Sequence, residues 1–125
     1  GASVFDYGDS IRFGANTGAE DETDLTKVSL SLPLFQVFTK GFLEGCGGSL
    51  TETEISLLPA GAKLMTLECG MRFLTEGDTY FKIHREHHNL ERARSQFKLV
   101  SDMEQKWCHM ERMVREAAGQ AAASV

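Results

Sequence analysis

The chain has only two prolines, one tryptophan and three cysteines among its 125 residues. Cys46, Cys69 and Cys108 are odd in number and widely spaced, with no C-x-x-C pair. That excludes a disulfide scaffold or a zinc ribbon and predicts reduced, mostly buried thiols in a cytoplasmic protein. No apolar run approaches the roughly 20 residues that span a bilayer. The chain is also short of positive charge: 13 Lys and Arg stand against 18 Asp and Glu, a formal net charge of -5. An acidic balance argues against unspecific binding to nucleic acid or to an anionic membrane, and leaves a local pocket open. No signal peptide is expected within the chain, since residues 1–8 have neither a basic start nor an apolar stretch. With no initiator Met, the chain is expected to begin within a longer protein.

The usual phosphoryl-transfer motifs are absent as well. Such chemistry needs a Gly-rich phosphate loop, a Lys for the phosphates, a base and metal-binding carboxylates. The chain has no G-x-G-x-x-G, no G-x-x-x-x-G-K-[ST] and no H-x-D loop. Residues 45–48 (GCGG) follow a helical pattern instead of preceding one, so they read as a helix end. The triplet Asp6-Tyr7-Gly8 is like the metal-holding D-F-G of protein kinases, but no catalytic loop lies upstream of it.

What is present is helical patterning. At 42% hydrophobic and 25% charged, the composition suits one soluble domain over residues 1–125. A short helix is expected from Asp9, with Asp9 or Ser10 at its N-cap and Ile11 and Phe13 apolar. Residues 18–26 are acidic and polar, a solvated loop. Residues 27–32 (KVSLSL) alternate as a short extended segment would. Pro33 then suits a first helical turn, and Gly45, Gly47 and Gly48 a helix end. Thr51 and Glu54 have capping-box spacing. Beyond them Leu57, Ala60, Leu64, Leu67, Met71 and Leu74 alternate by three and four, so they share one helix face. Pro59 is expected to kink or split that helix. A last helix is expected over 90–114, with Leu90, Ala93, Phe97, Val100, Met103 and Trp107 on its stripe. The Ala-rich residues 117–125 should fray. The fold class is therefore mainly α, with at most two or three short extended segments.

Residues 5–13 (FDYGDSIRF) resemble the YDFGDAIRF segment of the N-acetylhexosamine kinases, which have an aminoglycoside-phosphotransferase-like fold. The resemblance continues in order through 19–27 (AEDETDLTK), 38–44 (FTKGFLE), 67–75 (LECGMRFLT), 77–82 (GDTYFK) and 88–98 (HNLERARSQFK). It implies the helical C-lobe portion of a protein-kinase-like fold, with the N-lobe and catalytic loop in a missing N-terminal part. It implies that Asp6 positions the catalytic loop by accepting backbone N–H bonds, and leaves Asp9 as a helix cap or a second positioning group. It also implies that Arg72 and Tyr80 line a sugar pocket, by guanidinium donors and by an aromatic ring with a hydroxyl. From spacing alone Arg72 reads as a surface partner of Glu68. The chain departs from the family pattern at Glu76, the single residue between Thr75 and Gly77.

By this resemblance the parent protein uses ATP and Mg2+ to phosphorylate a sugar hydroxyl. The chain itself is expected to hold no catalytic residue and no metal, and to be inactive alone. His84, His87 and His88 cluster with Arg85, Arg92 and Arg94, which reads as a solvated charged surface. The alternative is a noncatalytic helical interaction or dimerisation module, self-associating through exposed apolar surface.

Overall fold

The computed structural model describes residues 4–18, 22–75 and 88–124. These residues are mainly helical. The helices are α1 (Val4–Gly14), α2 (Leu32–Cys46), α3 (Glu52–Ser56), α4 (Leu58–Thr75), α5 (His88–Gln105) and α6 (Trp107–Ser124). Among the described residues no helix is long and apolar enough to cross a membrane.

Helix α1 is already formed at Val4, so Asp9 lies mid-helix and does not cap it. Instead Asp9 accepts hydrogen bonds from Arg12 at 2.9 and 3.2 Å. Asp6 in the first turn and Arg12 in the last complement the helix dipole. The buried Tyr7 joins α1 to α2: its hydroxyl meets the Thr39 hydroxyl at 2.7 Å, and its ring packs edge-on against Phe35. Burial pushes the Tyr7 phenol well above its ordinary value, against the opposing hydrogen bond with Thr39.

Of the segment expected to be extended, residues 27–32, Lys27 closes a 3-10 turn, Leu25–Lys27, capped by Asp24, and Leu32 opens α2. Between them Val28 is extended, and Leu30 forms an isolated antiparallel bridge with Asn16. Ser31 then caps α2 through Leu34 N–H, and Pro33 sits in the first turn. Gly47, at φ 58°, ends α2 in the left-handed region that glycine tolerates. Both halves of the capping box at Thr51 and Glu54 are formed, at 3.0 and 3.1 Å. Pro59 splits the expected helix into α3 and α4, because its ring cannot follow an uninterrupted turn.

Helix α4 packs between α1 and α5, and α2 packs on α6. Its crossing with α1 is a glycine contact: a Cβ on Gly8 would stand 2.5 Å from the carbonyl oxygen of Gly61. Gly70 gives the same close approach to Phe97 of α5. The inner face of α4 is thus made of Leu58, Gly61, Ala62, Thr66 and Gly70, mostly small residues. The expected apolar stripe does share one face, but that face points outward. Leu57, Leu64, Met71 and Leu74 are all about half exposed.

The last helix is two helices, broken at Lys106, whose N–H is shared between the Asp102 and Met103 carbonyls at 3.1 Å each. The break falls where the chain leaves α4 for α2, and where the Lys106 ammonium is drawn to Leu30 O at 2.8 Å. The expected fraying of 117–125 is not found as far as Ser124. Helix α6 continues because Ala117 is buried and Ala118 and Ala121 pack against the core. No disulfide joins Cys46, Cys69 and Cys108; the first two are half-buried and Cys108 is exposed, against the expectation of mostly buried thiols.

Candidate functional site

The candidate site is a groove of about 440 Å³ between the start of α1 and the outer face of α4. Phe5, Leu64, Leu67, Met71 and Arg72 line it, with Glu68 and Thr75 at its edge. Two segments more than 60 residues apart in sequence, around Phe5 and around Arg72, therefore meet in one concave surface. The glycine contact of Gly8 with Gly61 makes this possible, because it lets the α1 and α4 backbones approach within contact distance.

Arg72 is reached from the last turn of α4 and is more than half exposed. Its terminal nitrogen lies 3.4 Å from Glu68 Oε1, a long surface ion pair between residues four apart. Such a pair is worth about 0.3–0.5 kcal/mol, so the guanidinium can exchange it for another acceptor at little cost. Asp6 is exposed in the first turn of α1, next in sequence to the groove residue Phe5. Asp9 is half exposed and held by Arg12, whose nearly buried guanidinium also lies 4.1 Å above the Phe13 ring. Tyr80, the second expected pocket residue, lies outside the described residues, as do His84, Arg85 and His87. Arg92 is half-buried, its guanidinium 5.6 Å from the centre of the Phe73 ring, and Arg94 is exposed. Among the described residues no three His, Cys, Asp or Glu side chains gather as metal ligands.

The best-defined polar cluster was not anticipated from the sequence. Lys98, Asp102 and Lys106 repeat every four residues along α5 and its junction, and they grip the extended segment before α2. Asp102 accepts the Leu30 N–H at 2.6 Å and the Lys106 ammonium at 2.7 Å. Lys106 also donates to Leu30 O at 2.8 Å, and Lys98 donates to Val28 O at 3.0 Å. Burial alone would push the Asp102 carboxyl up. The hydrogen bonds from Lys106 and Leu30, with the charges of Lys106 and Lys98, outweigh it and hold the carboxyl below the ordinary aspartate value. Its Oδ2 accepts from both the Leu30 N–H and the Lys106 ammonium, which ties two parts of the fold together, so its job is structural. The K-x-x-x-D-x-x-x-K spacing was the available signal.

A second concavity, of about 400 Å³, lies between α3 and α6 over Ile55, Pro59, Val114 and Ala118, with Glu52, Glu111 and Arg115 at its rim. No α1 residue lines it, and α4 reaches it only at Pro59. No family model matches the chain.

Proposed function

We propose that this chain is the substrate-side helical portion of the C-lobe of a cytoplasmic small-molecule kinase, and that its α1–α4 groove is one wall of the acceptor pocket. The acceptor is a sugar, an N-acetylhexosamine by the resemblance of six ordered segments. One observation supports the reading: Phe5, the sequence neighbour of Asp6 in the first resembling segment, lines the same groove as Arg72, although Asp6 itself is not a lining residue. Their adjacency was no part of the sequence comparison and could have failed.

In this reading Arg72 releases Glu68 and donates to hydroxyl or acetamide oxygens of the sugar, with its fan of N–H donors fixing orientation. Phe5, Leu67 and Met71 supply an apolar floor for a sugar face and exclude water from it. Asp6 accepts backbone N–H bonds from a catalytic loop in the preceding part of the protein. ATP and Mg2+ supply the phosphoryl group and its charge neutralisation when bound there, and no reacting group is assigned to this chain. The test is an assay of sugar phosphate formation from ATP and N-acetylhexosamine. The enzyme containing this chain should turn over, while the 125-residue chain alone stays at the no-enzyme level. Turnover by the isolated chain, or none by the enzyme on any hexosamine, would sink the proposal.

A second reading, a noncatalytic helical interaction module, is favoured by the outward apolar stripe of α4. An open reading frame extending upstream into a Gly-rich N-lobe and a catalytic loop separates the first reading from the second.

A further inference from the structure

We infer that the outer face of α4 is a homodimer seam, on which the α4 helix of a second copy of this chain packs in antiparallel orientation. The inference does not rest on the acceptor-pocket reading, and the two uses of this face exclude one another: a chain dimerised here cannot hold a sugar in the groove.

The outward residues of α4 are the large ones. Leu64, Met71 and Leu74 are 49–55% exposed, while Gly61, Ala62, Thr66 and Gly70 are buried. The inner face is complete without them: glycine contacts close it against α1 and α5, and Thr66 donates to Ala62 O at 2.8 Å. The chain's own core therefore gives no reason for leucine and methionine at these positions. A row of half-exposed large apolar side chains on one helix marks a protein contact surface more than a solvated one.

Their spacing says what kind of contact. Within α4, positions 60, 64, 67, 71 and 74 alternate by four and three. That is the mean period of 3.5 at which two helices keep one seam facing a partner helix. A single helix with a 3.5-residue seam is matched most simply by a helix with the same seam, and a second copy supplies one.

The flanking charges set the orientation. Glu68 and Arg72 stand one turn apart on the same edge of the seam, both more than half exposed. In an antiparallel two-fold pair, equal edges meet and run in opposite directions. With Leu67 opposite the partner's Met71, Glu68 comes beside the partner's Arg72, and the reverse pair forms by symmetry. Each copy exchanges its long internal pair for two pairs across the seam. A parallel dimer would bring opposite edges together and call on Lys63 for the same purpose. Lys63 is already placed within its own fold, 3.6 Å from Glu104 and 5.7 Å from the centre of the Trp107 ring. Exposed pairs of this kind fix register and orientation more than they add affinity. One helix against one helix is a small interface, so the dimer belongs to the weak, concentration-dependent class. In the dimer the partner helix covers Arg72, and the groove is closed.

Sedimentation equilibrium of the 125-residue chain tests this, over a roughly hundredfold range of concentration. The average mass should climb toward that of a dimer. Leu64→Glu should keep the chain monomeric throughout, with an unchanged helical circular dichroism spectrum and melting temperature because the side chain is solvent-facing. Glu68→Arg and Arg72→Glu should each weaken association about tenfold, by placing like charges across the seam. An equimolar mixture of these two variants should associate as the unaltered chain does, since an all-positive edge then meets an all-negative one. A chain that stays monomeric at every concentration overturns the inference. So does a Leu64→Glu variant that still dimerises, or a mixture that associates no better than its components alone.

Discussion

Asp102 shows what a single side chain does in this fold. It ties the N–H of Leu30, 72 residues away in sequence, to the junction of α5 and α6. Asp102→Asn should lower unfolding stability in urea by about 2 kcal/mol, since it removes the acceptor charge from a mostly buried clamp. The same residue makes a pH prediction. Its carboxyl is held below the ordinary value, so the unfolded state binds more protons here than the folded one. Its contribution is complete above the unfolded value of about 4 and is lost as pH falls through the depressed folded value. Urea midpoints measured down that acid range should fall more steeply for the unaltered chain than for Asp102→Asn. Tyr7→Phe should cost about 1 kcal/mol at neutral pH by leaving the Thr39 hydroxyl without its partner. Equal urea midpoints for the two chains would count against that hydrogen bond. Residues whose partners are local were legible in the sequence. The capping box needs only Thr51 and Glu54, and both its bonds are formed. Asp102 was not legible, because nothing near it in sequence announces a partner at Leu30.

The helices were legible where their own residues end them and illegible where packing does. Pro33, Gly47 and Pro59 each mark a boundary by backbone chemistry, and each boundary is found there. The break at Lys106 has no proline or glycine to announce it; it comes from a change of packing partner and from a lysine drawn to Leu30. The alanines after Ala117 look like a fraying end, yet small side chains are what allow α6 to lie close on α2. The stripe of α4 was found correctly as one face, but periodicity cannot say whether a face looks in or out. Two glycines of equal appearance in the sequence separate these cases. Gly8→Ala should destabilise by about 2 kcal/mol, because a Cβ there meets the Gly61 backbone and neither helix can yield without moving the other. Gly41→Ala lies in open space within α2 and should stabilise by about 0.5–1 kcal/mol, through helix propensity alone. Melting temperatures that move in the same direction for both would contradict the placement of the α1–α4 crossing.

In the whole molecule, one helix has two separate jobs. The inner face of α4 holds α1 and α5 together, and its outer face, with Phe5, forms the groove that Arg72 borders. The mainly helical class was legible because periodicity and capping are local signals. The groove was legible only in part. Arg72 and Asp6 were named from resemblance, but Phe5 as a lining residue and the outward leucines emerge only when α1 crosses α4. The reading of this groove as the wall of a sugar pocket stands or falls on Arg72. The decisive measurement is steady-state kinetics of the enzyme containing this chain, with Arg72→Ala compared against the unaltered protein. Loss of a charged donor to a substrate oxygen predicts a sugar KM raised about tenfold or more, with the ATP KM unchanged. Equal changes in both constants, or none in either, would contradict it.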